Sequence, residues 1–209
     1  VSDIVAQVRS FVVSRGLTPY NLKTHEGLLR FLTVRESTQS REVMVILTTS
    51  QEPFPEIDQL AATLVSRIPR VKSVIHTVNK GKAQVAYGEE NRVVTGTKSI
   101  TETIGAYTFD ISPSSFVQPN TIQADVMFSR IEEICELTGG ERVLDVYCGT
   151  GGISLYLSRS AGTVLGVEAS AEAVKDATKN SAQNGVSNCG FMSGPAEDLL
   201  GQLCTQGEQ

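Results

Sequence analysis

The hydrophobic and polar positions of this chain change period several times. Leu28-Leu29-Arg30-Phe31-Leu32-Thr33-Val34-Arg35 and Glu42-Val43-Met44-Val45-Ile46-Leu47-Thr48-Thr49 are strand-like runs. The polar stretch Ser37-Thr38-Gln39-Ser40-Arg41 between them predicts a hairpin. After Pro53 and Pro55 the period becomes helical, with Ile57, Leu60, Ala61, Leu64, Val65 and Ile68 on one face, and Val71 to Val78 returns to strand. The pattern predicts a β-β-α-β unit with no catalytic signature of its own. Val93 to Ile111 is again β-rich, with turns at Gly96 and Gly105, and Phe109 to Asn120 reads as a polar, proline-broken loop. Asn120 or Thr121 caps a helix running to about Leu137, with Ile122, Val126, Ile131, Ile134 and Cys135 among its apolar positions and Gly139-Gly140 as its stop.

Beyond residue 140 strand and helix patterns alternate strictly. Strands are expected from Arg142, over Thr163–Glu168 and over Cys189–Met192; helices over Ile153–Leu157, Ala171–Asn184 with Gly185 as left-handed cap, and Ala196–Leu203. Such alternation builds a parallel sheet. The chain therefore reads as α/β: a mixed α/β central domain over residues 1–92, a β-rich connector and ligand loop over 93–120, and the opening part of a Rossmann-like domain over 121–209.

The richest chemistry lies at Val143-Leu144-Asp145-Val146-Tyr147-Cys148-Gly149-Thr150-Gly151-Gly152, where a strand runs into a glycine turn and then a helix. Glycines suit a backbone that turns sharply and lies against a ligand. The next strand ends in Glu168, whose two oxygens can accept from a pair of ribose hydroxyls. Dinucleotides and S-adenosylmethionine both use such corners. A dinucleotide fingerprint wants G-x-G-x-x-G, and here the third glycine is Ser154. Asp145 can receive an ammonium group, which favours S-adenosylmethionine; a glycine turn with no ligand stays open as the plainer alternative.

Composition narrows the field. With 209 residues, 40% of them hydrophobic, the chain can hold one large or two modest domains. No apolar run reaches the roughly 20 residues of a membrane span, and no signal sequence opens the chain. Val1 is not a methionine, so the chain is expected to be a piece of a longer protein. Cys135, Cys148, Cys189 and Cys204 form no C-x-x-C pair, and His25 and His76 lie far from them. No metal site or disulfide framework is expected, and a reducing cytoplasm is the default. Cys148 is expected to pack as a small residue beneath the glycine loop. Residues 1–110 carry 13 Lys/Arg against 11 Asp/Glu, and residues 111–209 carry 5 against 12. The acidic second half does not attract nucleic acid, so a polyanion must be gripped by local patches in the first half or by other parts of the protein.

Three segments together resemble the RNA (uracil-5-)methyltransferase family: Thr24-His25-Glu26-Gly27-Leu28-Leu29-Arg30; Ile111-Ser112-Pro113-Ser114-Ser115-Phe116-Val117-Gln118-Pro119-Asn120-Thr121; and the corner from Val143 to Gly152 with Val164–Glu168 and Asn184-Gly185. The resemblance runs from about residue 20 onward, and its second segment is far more specific than the glycine turn. It implies a Rossmann-like S-adenosylmethionine-dependent methyltransferase domain acting on carbon 5 of a uridine in RNA, with ribosomal RNA favoured over transfer RNA. It also assigns Gln118, Asp145, Tyr147, Gly149, Gly151, Glu168 and Glu197 to the cofactor, and Phe116 to the target base, with a core plug as the other role for Phe116. Uracil carbon 5 needs activation by a cysteine thiolate added at carbon 6. The family carries that cysteine and its base later in the chain, so both are expected beyond residue 209. Its iron–sulfur cysteines and N-terminal RNA-binding barrel have no counterpart here. Two other functions fit the same pattern: a methyltransferase acting on a small molecule or protein, and a non-catalytic RNA-binding or scaffolding module.

Overall fold

The computed structural model describes residues 1–50, 53–88 and 90–205, with side chains through residue 201. The side chain of Cys204 and the terminal Gly207-Glu208-Gln209 lie outside the described residues. The chain forms two compact units, Val1–Thr101 and Glu102–Gln209. Residues 93–120, expected as a connector, are thus divided between the two.

The first unit is α1 (Ser2–Ser14), β1 (Leu29–Glu36), β2 (Val43–Thr49), α2 (Ile57–Arg67), β3 (Val71–Val78) and β4 (Glu90–Gly96), with strand order β1-β2-β3-β4. The expected hairpin pairs β1 with β2 antiparallel, α2 carries the chain to a parallel β3, and β4 returns antiparallel. All seven residues of β2 are buried. Its Val43, Val45 and Leu47 join Leu60, Leu64 and Val74 in one core. In α2 the buried face is Ile57, Leu60, Ala61 and Leu64, while Val65, read as part of that face, points outward. The sequence pattern had no element before Leu28. The helix α1 there is rich in β-branched residues of weak helix propensity and gains its stability by burying Ile4 and Val8 in the same core.

The division falls within β5 (Ile100–Ile104), which forms a two-stranded sheet with β6 (Tyr107–Ile111), and α3 (Thr121–Cys135) follows. Then β7 (Arg142–Val146), α4 (Gly152–Leu157), β8 (Thr163–Glu168), α5 (Ala171–Gln183), β9 (Cys189–Ser193) and α6 (Ala196–Thr205) alternate. The three strands are parallel in order β7-β8-β9, the Rossmann-like arrangement that the alternating pattern predicts.

Three details differ from the sequence reading. Phe109 and Ile111 are buried in β6, and the loop begins only at Ser112. Helix α3 ends at the left-handed Glu136 (φ 46°), before Gly139. It buries Thr121, Ala124 and Phe128, leaving Ile122, Val126 and Ile134 exposed. No described helix is long and apolar enough to cross a membrane.

Candidate functional site

The glycine corner is built by its hydrogen bonds. Tyr147 and Cys148 donate their backbone N–H groups to the Val167 carbonyl (2.8 and 3.0 Å), tying the turn to β8. Tyr147, Gly149 and Gly151 are all left-handed, with φ of 65°, 55° and 86°. The two glycines then do different jobs. A Cβ on Gly149 would meet nothing within 4 Å, so that residue leaves open space at the turn. A Cβ on Gly151 would lie 3.2–3.3 Å from Leu155, Phe191 and Ala177, so that glycine lets strand and helices pack.

A second element faces this turn. The Ser112 and Ser115 hydroxyls donate to Asp176 Oδ2 (2.7 and 2.5 Å), fixing the start of the loop that carries Phe116 and Gln118. One turn further along α5, the fully buried Asn180 accepts from the Asp110 N–H (2.9 Å) and donates through Nδ2 to the Thr150 carbonyl (3.2 Å). Asn184 accepts from the Thr108 N–H (2.9 Å) and donates back to the Thr108 carbonyl (2.6 Å). The amides of α5 thus take the place of a neighbouring strand along β6, and Asn180 ties that strand to the glycine turn.

Between loop and turn lies a cavity of about 150 Å³ lined by Phe116, Val117, Gln118, Met127, Tyr147, Cys148, Gly149 and Thr150, among others. It sits beyond the carboxyl end of β7, where open α/β sheets bind ligands. Of the residues singled out from sequence, Phe116, Gln118, Tyr147 and Gly149 line it. Phe116 is 65% exposed and is no core plug. Glu168 stands beside it, accepting from the Gly149 N–H (3.2 Å) and the Ser170 N–H (2.8 Å) through separate oxygens. Each oxygen keeps a lone pair for a further donor. Glu197 is joined through the Tyr147 hydroxyl, which donates to its Oε1 (3.2 Å) and is thereby held above the usual phenol range.

Asp145 and Gly151 do not line the cavity. Asp145 accepts from the Ser154 hydroxyl (2.6 Å), and burial pushes its carboxyl up against the lowering effect of that bond. No cation pairs with it among the described residues. Burial also pushes the Cys148 thiol up to about 12, with the Asp145 and Glu168 carboxylates adding to the effect, and the Cys189 thiol up to about 11. Cys148 is buried under the turn as a small packing residue. The described residues contain no group of three or more His, Cys, Asp or Glu side chains placed to hold a metal ion.

Sequence reasoning missed Asp176, Asn180 and the role of Asn184. Their signal was present: positions 176, 180, 183 and 184 put polar groups at helical spacing on one stripe of α5.

The βαβ order, the glycine corner and the cavity at the strand ends define a Rossmann-like domain, and residues 137–208 match the family described as "Methyltransferase domain". Over its whole length the chain is similar to proteins described as uncharacterized RNA methyltransferases. It is 37% identical to one from Enterococcus faecalis, covering 100% of this chain and 46% of that protein. It is 34% identical to one from Oceanobacillus iheyensis, covering 99% of this chain and 45% of that one. Among solved structures it is similar to the Pyrococcus abyssi tRNA (uracil-54, C5)-methyltransferase in complex with S-adenosyl-L-homocysteine. That match has a TM-score of 0.75 and 28% identity, and covers 91% of this chain and 45% of that one. The chain spans less than half the length of these relatives.

Proposed function

We propose that the protein to which this chain contributes methylates carbon 5 of a uridine in RNA, using S-adenosylmethionine. The observation that carries this reading is the single cavity bringing Phe116 and Gln118 against Tyr147 and the Gly149 turn. The residues fit the cofactor. Open space over Gly149 suits close approach of a ligand to the backbone, and Glu168 has acceptor capacity left for ribose hydroxyls. Asp145, half-buried and paired with no cation among the described residues, suits a ligand ammonium, which would lower its raised pKa. Glu197, joined to Tyr147, stands at the outer end of the same strand ends. When bound, the cofactor supplies an electrophilic methyl group.

Phe116 offers an exposed aromatic face to a base, a contact worth ~1–3 kcal/mol. Gln118, half-buried beside it, offers a carboxamide able both to donate to and to accept from a base edge or the cofactor. Activation of carbon 5 needs a thiolate. Burial pushes Cys148 and Cys189 the wrong way for that role, which supports a nucleophile from another part of the whole protein. The solved neighbour acts on tRNA and the curated relatives are described only as RNA methyltransferases, so ribosomal and transfer RNA are both substrates to assay. The free cysteines among the described residues support a reducing cytoplasm as the setting.

The test is methyl transfer by the whole protein from radiolabelled S-adenosylmethionine to unmodified ribosomal and transfer RNA, followed by digestion to nucleosides. Label in 5-methyluridine is expected. Label in another nucleoside, in a small molecule or in protein refutes the reading, and cofactor binding without any transfer favours a non-catalytic module.

A further inference from the structure

The chain from Thr108 to Ser112 is held to α5 at a matched repeat. The Thr108 and Asp110 N–H groups donate to Asn184 and Asn180, and the Ser112 hydroxyl donates to Asp176. Two residues of strand advance about 6.6 Å and four residues of helix about 6.0 Å, so alternate positions of one meet every fourth of the other. The last of these contacts differs in kind. Positions 180 and 184 present amides to backbone, whereas position 176 presents a carboxylate to side chains.

That carboxylate closes a turn. The Ser115 N–H donates to the Ser112 carbonyl (3.2 Å), and the Ser112 N–H donates to the Ser115 Oγ (3.0 Å). The buried Pro113 stands at the second position of the turn, where its fixed φ is already suited to the bend. The two hydroxyl oxygens lie 2.6 Å apart, and both reach Asp176 Oδ2. Two hydroxyl protons meeting one acceptor-only oxygen satisfy this cluster, while an amide nitrogen aimed into it would set donor against donor. Charge on the acceptor strengthens both bonds.

The anchor stands immediately before the residues that line the cavity. Ser115 is 1% exposed, and the next residue, Phe116, is 65% exposed. Further along, Asn120 fixes the chain again by accepting from the Gln123 N–H at the start of α3 (3.1 Å). Between these points Val117 packs partly against Phe109, Phe128 and Tyr156. Phe116 and Gln118 thus sit on a short bridge whose first support is Asp176. Asp176 itself does not line the cavity.

We propose that Asp176 is a positioning residue for methyl transfer, acting through the Ser112 and Ser115 hydroxyls to set Phe116 and Gln118. The role rests on the uridine-methylation reading. It separates the two walls of the cavity. The glycine turn is tied to β8 through the bonds of Tyr147 and Cys148 to the Val167 carbonyl, which do not involve Asp176. Loss of Asp176 therefore slows transfer and leaves cofactor affinity in place.

The experiment is steady-state methyl transfer by the whole protein to unmodified ribosomal and transfer RNA, with calorimetric titration of S-adenosylhomocysteine counting the binding-competent sites. Asp176→Ala should lower kcat per site by about 10- to 100-fold, the range that a displacement of about 1 Å can cost, with cofactor affinity unchanged. Asp176→Asn keeps an acceptor oxygen in the same place and should recover most of that rate. Ser112→Ala/Ser115→Ala cuts the same path from its other end, and it carries the test should Asp176→Ala fail to fold. Adding Asp176→Ala to that pair should leave kcat where the pair put it. Losses that multiply in the triple variant overturn the proposal, because Asp176 would then act by another route. So does a lower melting temperature with fewer binding sites but an unchanged kcat per site, the mark of a purely structural residue. Either result leaves the proposed function standing. No transfer by the wild-type protein to either RNA brings down that function and this role together.

Discussion

Asn180 is the residue whose removal tests the architecture of the site most directly. Its side chain is fully buried and makes two bonds to backbone in separate elements, one to the Asp110 N–H and one to the Thr150 carbonyl. Asn180→Leu keeps the branched shape and the number of side-chain heavy atoms and removes both bonds, leaving the Asp110 N–H and the buried Thr150 carbonyl without these partners. Each such group costs about 1–3 kcal/mol, so the variant should lose about 2–6 kcal/mol of stability. Asn180→Asp separates the two bonds. It keeps the acceptor for Asp110 but sets a carboxylate against the Thr150 carbonyl in a site without solvent. Burial raises the folded-state pKa of that new carboxyl above its unfolded value of about 3.9. The variant should therefore be closest to wild type below that unfolded value, where the carboxyl is protonated and can donate to Thr150. Its deficit should grow as pH rises through the folded-state pKa. Urea denaturation followed by circular dichroism across that pH range measures both effects, and amide hydrogen exchange at Asp110 reports the local bond. A loss below about 1 kcal/mol in Asn180→Leu, with Asp110 exchange unchanged, would refute the clamp.

Four further outcomes follow from the site. Glu168→Ala should weaken S-adenosylhomocysteine binding by about 1.5–3 kcal/mol, the size of a hydrogen bond to a charged group; calorimetry showing unchanged affinity removes Glu168 from the ribose. Gly149→Ala should cost cofactor affinity with a small loss of stability, whereas Gly151→Val should lower the melting temperature because its side chain collides with Leu155, Phe191 and Ala177; equal melting temperatures for the two contradict the division of roles. Gln118→Ala should reduce turnover by at least about tenfold, roughly 1.4 kcal/mol of transition-state stabilisation, with the melting temperature unchanged; a large stability loss with normal specific activity makes the residue structural. Cys148, with its thiol held near 12, should resist iodoacetamide at neutral pH in the folded protein and react after denaturation; rapid labelling of the native protein contradicts that shift.

Most of the second unit was easy to read because its helix caps and its parallel strands carry strong local signatures. Asn120 caps α3 by accepting from the Gln123 N–H, Gly185 closes α5 in the left-handed form (φ 69°), and Thr163–Glu168 forms a strand over the predicted span. Phe116, Gln118, Tyr147 and Gly149 were legible as a set for the same reason, since each belongs to a short motif. What the sequence hid depends on contacts between distant segments. Helix α1 is stabilised by docking onto a core, which local propensity does not report. The exposed Ile122, Val126 and Ile134 of α3 show that an apolar stripe read from spacing need not be the face the unit buries. Asp176 and Asn180 act 61 and 70 residues away from Ser115 and Asp110, so their polar stripe on α5 shows in the pattern while the partners it bonds do not.

Because one helix holds both the strand before the loop of Phe116 and Gln118 and the turn before α4, the gap between them has a single reference. A small sliding or rotation of α5 carries Asp110 and Thr150 along together, so the spacing across the cavity is tolerant of drift in the rest of the sheet. The same linkage makes the gap indivisible. Ordering either wall on a ligand presets the other, so a first ligand bound at the turn should narrow the range of positions open to the loop before a second one arrives.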